Sequence, residues 1–398
     1  MRPTPFNLLC GAGLLGIFSS TISKSPVLPL LAAHLGADAA GVGLVASVSA
    51  FTGVLLSLPA GVLSDRLGRR RLLLLAALVF ASAPFLYLLV DSLAGLILVR
   101  LYHGLATAVF VPVAMALVAD LHPAQRGEKM GWFSTATLLG RFMAPLAGGA
   151  LLSLWAASPA TGFRAVYLVC GLAGVTVLLL AAPLPRPDPR QALTRQPLQL
   201  RLALRALLAE RRLLATCLAE AGVLFAYGVF EVFLPLHGLA HGLAAWQVGA
   251  CLSSQIITLA LTKPVLGRFS DRHGRPPQIV AGCLLGAAGI GLFAWQTAFG
   301  PLLLLSVVFG LSLSVVTSAS GAYVADLSRQ EGRGAAMGLL GTIMDLGHSS
   351  GPLLGGLAGA WWGLGAPFWL AGLVIAGAAL VFGLAALRPG LPPPAPPA

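Results

Sequence analysis

The chain contains the stretch GVLSDRLGRR at residues 61–70 and a similar stretch, GRFSDRHGR, at residues 267–275. The residues Gly, Ser, Asp, Arg, Gly and Arg recur in both stretches in the same order and at the same spacing. Long apolar runs surround each stretch, so the similarity lies in the polar residues that interrupt those runs. The pair indicates an internal repeat with an offset of 206 positions, counted from Gly61 to Gly267.

The same offset aligns other short motifs along the chain. Two further pairs have it: residues 119–121 with 325–327 (Ala-Asp-Leu), and residues 28–30 with 234–236 (Leu-Pro-Leu). An offset one position longer aligns Arg126 and Gly127 with Arg333 and Gly334, and Pro145, Gly148 and Gly149 with Pro352, Gly355 and Gly356. A nearly constant offset at separated places indicates two halves of similar structure, and many secondary transporters are built from such repeats.

The composition indicates a membrane protein. Of 398 residues, 57% are hydrophobic and only 10% are charged, whereas soluble proteins carry about 25% charged residues. Runs such as 72–90 and 368–387 are nearly free of charge over the roughly 20 residues that a helix needs to cross the hydrocarbon core. The runs lack the alternation of barrel strands, so we predict helices.

We predict an all-α integral membrane protein with twelve transmembrane helices. The linker between the halves is rich in Pro and Arg, and the C-terminal tail is rich in Pro. The predicted organisation is an N-terminal six-helix bundle (1–183), a cytoplasmic linker (184–212), a C-terminal six-helix bundle (213–388) and a disordered tail (389–398). The spans lie near residues 6–33, 41–63, 71–91, 94–119, 129–154, 164–183, 213–237, 244–266, 277–297, 301–325, 334–361 and 366–387.

The net charge of +12 is unevenly distributed over these spans. With a cytoplasmic N-terminus, all 25 Lys and Arg residues except Lys24, Arg100, Arg141 and Arg164 fall on or near the cytoplasmic side. Because basic residues favour cytoplasmic loops, this distribution places both termini in the cytoplasm. We expect a multi-pass protein of the inner (plasma) membrane, with the lipid bilayer as a partner and no nucleic acid.

The loop motif at 61–70, between the second and third spans, resembles the signature cytoplasmic loop of the major facilitator superfamily. The stretch at 267–275 resembles the weaker second copy usual in that family, and Arg100 with Gly104 resembles its fourth-helix arginine motif. In the fifth span, residues 140–149 resemble the motif of the 12-helix drug–proton antiporters. The resemblance covers the whole chain and implies two pseudo-symmetric six-helix bundles.

Within this resemblance, the two loop motifs imply a cytoplasmic gate. Asp65 would face the N-terminus of the eleventh helix, where the helix dipole favours a carboxylate. Arg66 and Arg69 would pair with Asp120, and by symmetry Asp271 would meet the fifth helix while Arg272 or Arg275 would pair with Asp326. Topology alone explains the arginines, but it does not explain Asp65. The implied gate consists of Gly61, Asp65, Arg66, Gly68, Arg69 and Asp120 in the first half, and Asp271, Arg272, Arg275 and Asp326 in the second.

A second implied set bends or closely packs the fifth and eleventh helices. Small residues let helix backbones approach closely in lipid, and prolines bend helices. The resemblance assigns this set to the interface between the halves. It consists of Gly140, Pro145, Gly148, Gly149, Pro352, Gly355 and Gly356.

Charges within the spans mark a candidate substrate and proton cavity, because a charge at bilayer depth costs at least about 2.5 kcal/mol. In the alignment of the halves, Lys24 falls beside Glu231, and Arg141 falls on His348, which shares a helix face with Asp345. Two alternatives remain: Lys24 snorkels outward, or Glu220 serves a structural pair. The cavity set is Lys24, Arg100, Arg141, Glu220, Glu231, Asp345 and His348.

These features predict a secondary active transporter that moves a small molecule by alternating access, most simply a proton-coupled exporter of a drug or metabolite. Glu231 and Asp345 are the first candidates for the coupling proton, with Lys24, Arg141 and His348 as counter-charges. The alternative is a proton-coupled importer or facilitator of a small organic anion. A third class, a non-transporting receptor or lipid-handling protein, would not need these charges.

Other functions lack their motifs. We expect no metal, since no Cys or Met cluster is present and the pair Asp345 and His348 offers two ligands where about four are needed. The chain has no phosphate-binding loop for ATP, and we expect no enzyme and no cofactor beyond H⁺ as the coupling ion. We expect the monomer to be functional.

We predict that Asp65→Asn leaves membrane insertion intact and slows transport, because it removes the carboxylate that would face the eleventh helix. Insertion is checked by membrane fractionation and transport by flux into proteoliposomes. Wild-type flux in this variant would refute the gating role of Asp65.

Overall fold

The computed structural model describes residues 4–48, 51–53, 68–185, 210–328 and 333–386, and the regular structure in these ranges is entirely helical. The predicted tail and most of the predicted linker lie outside them. The helices of the first half are α1 Pro5–Lys24, α2 Val27–His34, α3 Ala39–Gly53, α4 Arg69–Tyr87, α5 Leu93–Leu121, α6 Arg126–Leu154 and α7 Pro159–Ala181. Those of the second half are α8 Arg211–Ala240, α9 Ala245–His273, α10 Arg275–Leu292, α11 Phe299–Leu327, α12 Arg333–Trp362 and α13 Ala366–Ala386.

Over the described residues, ten helical segments are long and apolar enough to cross a membrane, which confirms the predicted fold class. The first predicted span, 6–33, is broken into α1 and α2. Ser25 has extended backbone angles, φ −139° and ψ 126°, and Pro26 has no N–H to continue the helix. The break leaves Lys24 at the end of α1.

The repeat seen in the sequence is also a repeat of helix boundaries. α1 and α8 begin at Pro5 and Arg211, and α5 and α11 begin at Leu93 and Phe299, each pair 206 positions apart. Glycines with positive φ recur at the same offset: Gly36 (86°) with Gly242 (83°), and Gly68 (88°) with Gly274 (89°). Only glycine adopts these angles without strain, so the turns before α3, α4, α9 and α10 are specified by the same residue type.

The helices form two compact units that do not coincide with the sequence halves. The first unit consists of residues 1–193 together with 231–253, and the second consists of residues 194–230 together with 254–398. The end of α8, the start of α9 and the turn between them therefore belong with the first half.

In the first unit, α1 packs on α6 and α7, and α4 packs on α5 and α7. Its core is apolar and includes Phe80, Phe110 and Phe133, each at most 1% exposed. Glycine allows the closest helix contacts, since a methyl group at Gly140 of α6 would collide with the carbonyl oxygen of Leu14 on α1. The tight α1–α6 contact thus requires glycine at position 140.

Glycine also allows close contact between the equivalent helices of the second unit, α8 and α12. α8 lies so close to α12 that a methyl group at Gly347 or Gly351 would collide with the carbonyl oxygens of Ala221 or Phe225. Gly347 is the repeat counterpart of Gly140, at the longer offset of 207. The repeat therefore preserves close helix packing as well as the positions at which helices begin.

We expect Gly140→Ala to lower the free energy of unfolding by about 1–3 kcal/mol, the usual cost of overpacking. Gly131→Ala on the same helix is the matched control, because the added methyl group has no neighbour within 4 Å. The control should be neutral or up to about 1 kcal/mol more stable, since Ala favours helices over Gly. Equilibrium unfolding in mixed micelles measures both, and equal stabilities would contradict the packing role of Gly140.

Candidate functional site

An ion pair joins the end of α1 to α8 within the first unit. Lys24 Nζ lies 2.6 Å from Glu231 Oε2, although the two residues are 207 positions apart. Their side chains are 22% and 8% exposed, respectively, and the Ser25 hydroxyl donates to the backbone carbonyl of Glu231 at 3.1 Å. The sequence alignment places both charges at one level, and in the structure they neutralise each other there.

This pairing decides between the alternatives for Lys24, because its ammonium group contacts Glu231. Removing one partner of a buried pair leaves an uncompensated charge and costs about 3–5 kcal/mol. α1 ends at Lys24, so the chain leaves the helix beside α8. The hydroxyl of the next residue, Ser25, adds a second contact with that helix. The pair is therefore a structural contact between α1 and α8.

A second contact in the first unit joins α6 to the start of α9. Trp246 donates its backbone N–H to the Ser153 hydroxyl at 3.0 Å, and the Ser253 hydroxyl donates to the carbonyl of Phe142 at 2.8 Å. A methyl group at Gly149 would collide with the carbonyl oxygen of Ala245. We call this the α6–α9 contact, and with Lys24–Glu231 it holds residues 231–253 against the first half.

The fifth-span motif lies at this contact. Gly249 of α9 approaches the carbonyl oxygen of Pro145, and Gly148 faces the α1–α2 break at Ile22 and Pro26. α6 continues as one helix through Pro145, and α12 continues through Pro352. Gly355 and Gly356 on α12 are buried, and their role at an interface remains a prediction.

Arg141 lies on the face of α6 that is opposite to its exposed apolar side chains. Trp132, Leu139 and Met143 are 59%, 47% and 52% exposed and form one stripe. Because successive helical residues are about 100° apart, Arg141 lies on the other side of the helix axis from this stripe. Arg141 is exposed, and within the described part of the chain no carboxylate pairs with it.

Asp345 and His348 occupy the comparable face of α12 in the second unit. Leu346 and Leu357 are 46% and 41% exposed and mark the apolar side, whereas Asp345 is exposed and His348 half-buried on the polar side. The His348 ring lies 5.2 Å from the Tyr227 ring of α8, measured between centroids. The second unit therefore presents a carboxylate, an imidazole and a phenol along one polar face.

Glu220 has different surroundings from the rest of the cavity set. It is 2% exposed, and the hydroxyl of Ser320 on α11 donates to its Oε2 atom. Ser320 could not be singled out from the sequence, because serines are common in these spans. Glu220 therefore lies in the interior of the second unit, and its place in a substrate cavity remains a prediction.

Arg100 is also internal, in the first unit. It is 3% exposed, and its Nη1 donates to the Tyr87 hydroxyl at 3.3 Å. Tyr87 stacks on Tyr167 with ring centroids 4.4 Å apart, and the His103 ring contacts Tyr87 edge-on at 5.9 Å. We had no sequence signal for Tyr87 or Tyr167, which are far apart in the chain. This cluster supports Arg100 from within the bundle.

The two loop motifs make equivalent ion pairs. Arg69 Nη1 lies 2.6 Å from Asp120 Oδ2, and Arg275 Nε lies 2.7 Å from Asp326 Oδ2. Arg275 also pairs with Asp271 at 3.3 Å, whereas Arg272 is exposed. Each pair joins the third or ninth predicted span to the one that follows it. Of the other gate residues, Gly61, Asp65 and Arg66 lie outside the described residues, and gating itself remains a prediction.

A sequence model of the Major Facilitator Superfamily matches residues 8–259 and 239–398. The chain belongs to this superfamily. It is 25% identical over 375 residues to the multidrug resistance protein MdtG of Enterobacter lignolyticus, covering 92% of this chain and 88% of that protein. It is 22% identical over 342 residues to the quinolone resistance protein NorA of Staphylococcus aureus, covering 83% and 84%.

A solved structure has a similar fold. The nucleoside transporter NupG matches with a TM-score of 0.79 at 18% identity, covering 96% of this chain and 98% of that one. Membership of the major facilitator superfamily makes this chain a multi-pass membrane transporter of a small molecule rather than an enzyme.

We expect Lys24→Met and Glu231→Gln each to lower the free energy of unfolding. The double variant should lose less stability than the sum of the two single losses. Each single change leaves one buried charge without its partner, so the coupling free energy should be about 1–3 kcal/mol. A double-mutant cycle from equilibrium unfolding in mixed micelles measures it. Additive effects would show that the contact between Lys24 and Glu231 contributes nothing to stability.

Proposed function

We propose that this protein exports a drug-like small molecule or metabolite in exchange for protons, by alternating access across the inner membrane. The observation that carries the proposal is the ion pair between Lys24 and Glu231 at 2.6 Å. It joins the first half of the chain to a helix of the second half, and its strength depends on the ionisation of one carboxylate. A proton that binds there acts directly on a contact between the halves.

The coupling step follows from this geometry. When Glu231 binds a proton it loses its charge, and the ion pair with Lys24 is replaced by the weaker hydrogen bond between an ammonium group and a neutral acid. The contact between α1 and α8 then separates more easily, and water reaches the site from the outer side. Loss of the proton restores the charge and closes the contact. The proton is thus released or bound according to which side is open.

We expect substrate-binding groups on the polar face of α6 in the first unit and, separately, on the polar face of α12 in the second unit. Arg141 is exposed on one of them, and Asp345 and His348 lie on the other. A substrate that competes with a proton at Asp345 would link binding to the proton gradient. A multidrug resistance protein and a quinolone resistance protein are each similar to this chain over most of its length, which supports export of a drug-like compound.

Arg141 favours a second candidate, proton-coupled import of a small organic anion. A guanidinium group stays charged at any physiological pH and binds carboxylates through two parallel hydrogen bonds. Exposed on the polar face of α6, it is suited to the acidic group of such a substrate. The two candidates differ in the direction of transport and in the effect of removing Arg141.

We expect Glu231→Gln and Asp345→Asn each to reduce transport driven by a pH gradient at least about tenfold, which corresponds to about 1.4 kcal/mol. Each variant replaces a titratable carboxylate with a neutral amide of similar shape. Efflux of a fluorescent drug such as ethidium from proteoliposomes gives the rate. Glu128→Gln is the control, because Glu128 is a surface residue with a 55% exposed side chain.

Two results would contradict this proposal. If both variants kept the wild-type response to the pH gradient, neither carboxylate would couple protons to transport. If wild-type vesicles accumulated a radiolabelled carboxylate and Arg141→Gln abolished that uptake, the import candidate would replace the export one.

A further inference from the structure

Arg164 of α7 is a basic residue that neither the loop motifs nor the candidate cavity uses. It is one of four Lys and Arg residues that fall outside the cytoplasmic side, and its side chain is exposed. Within the ranges that the structure describes, no carboxylate forms an ion pair with it. Because basic residues favour cytoplasmic loops, topology does not account for Arg164. Its charge calls for a partner other than the described Asp and Glu residues.

Arg164 continues an exposed apolar stripe along α7. The residues of this stripe are three or four positions apart, so they lie on one face of the helix. They are Leu168, Leu172, Val175 and Leu179, which are 46%, 66%, 37% and 67% exposed. Arg164 precedes Leu168 by four positions and therefore lies on the same face. On a membrane-spanning helix such a face contacts acyl chains, so Arg164 belongs to the row of side chains that meets lipid.

The opposite end of α7 gives the depth of Arg164 in the membrane. There, Arg70 Nη2 donates to the carbonyl oxygen of Ala182 at 2.5 Å, so a basic residue of the cytoplasmic loop marks that boundary. Arg164 precedes Ala182 by 18 positions, which is about 27 Å along the axis at a rise of 1.5 Å per residue. The hydrocarbon core is about 30 Å thick. Arg164 therefore lies close to the external edge of the hydrocarbon core.

Trp155, at the end of α6, gives a second measure of this depth. It is 36% exposed, and a methyl group at Gly162 would lie 3.4 Å from its Cβ atom, so it adjoins the turn of α7 that carries Arg164. Trp132, near the start of α6, is 59% exposed. The 23 positions between the two tryptophans correspond to about 35 Å. Tryptophan favours both membrane interfaces, so Trp155 and Arg164 lie at the level of the external headgroups.

We propose that Arg164 and Trp155 bind one anionic phospholipid of the outer leaflet. A guanidinium group holds a phosphate through two parallel hydrogen bonds. Helical side chains lean towards the N-terminus of their helix, which for α7 is the external end in the predicted topology. Trp155 offers an indole N–H to the ester groups below the phosphate. Phosphatidylglycerol fits this site better than a zwitterionic lipid, whose own ammonium group would lie near the guanidinium. The site does not depend on the proposed transport function.

Native mass spectrometry of the full chain in detergent micelles, titrated with lipid, tests the site. The wild-type protein should bind one phosphatidylglycerol about tenfold more tightly than phosphatidylcholine, a difference of about 1.4 kcal/mol. Arg164→Gln should abolish this preference. Arg164→Lys should have an intermediate affinity, because an ammonium group keeps the charge without the planar fork. Arg126→Gln is the matched control, since it removes the same charge from an exposed residue at the cytoplasmic start of α6 and should keep the preference.

Four results would overturn the inference. They are equal wild-type affinities for the two lipids, a preference that survives in Arg164→Gln, an equal loss in Arg126→Gln, and displacement of bound phosphatidylglycerol by excess inorganic phosphate. Trp155→Phe keeps an aromatic ring without the N–H group and should also weaken binding, whereas an unchanged affinity would contradict the role of Trp155. If Arg164→Gln fails to fold, Arg164→Lys decides, because wild-type affinity in that variant would contradict the two parallel hydrogen bonds.

Discussion

The ion pair between Lys24 and Glu231 is the contact on which the first unit depends. Charges at this depth are costly in lipid, so each needs the other. The pair also has a geometric requirement, because α1 must end at Lys24 for its ammonium group to reach α8. Pro26, the Ser25 contact and the α6–α9 contact all serve this arrangement. A local break in one helix thus determines how residues 231–253 are held.

Much of the fold was predictable, because lipid restricts a chain to few structures. Apolar runs of sufficient length must be helices, and the offset between the two loop motifs predicted that the halves would share helix boundaries. The repeated positive-φ glycines Gly36 and Gly242 went unnoticed, although they have the same offset. The break in the first span was only partly predictable, since proline within a transmembrane helix is often tolerated. Helix length was therefore easier to predict than helix interruption.

The charged residues of the site could be identified from the sequence, but the residues that contact them could not. The rarity of charged residues in the spans identified Lys24 and Glu231, and the repeat placed them at one level. The repeat could not show that Glu220 turns inward to Ser320 while Asp345 stays exposed, because both are isolated carboxylates in apolar sequence. Helix rotation decides that difference, and it depends on close contacts such as Gly347 with Ala221. The serines and tyrosines that complete these sites gave no signal of their own.

The membership of residues 231–253 in the first unit has a consequence for biosynthesis. A ribosome releases the chain from its N-terminus onwards, so the first six spans are made well before α8 and α9. Until then Lys24 has no Glu231 beside it, and Gly149 and Ser153 have no α9 to contact. The first half must therefore stay in the membrane with an unmatched surface while the linker, α8 and the start of α9 are translated. Assembly of this unit is complete only after Ser253 has been inserted.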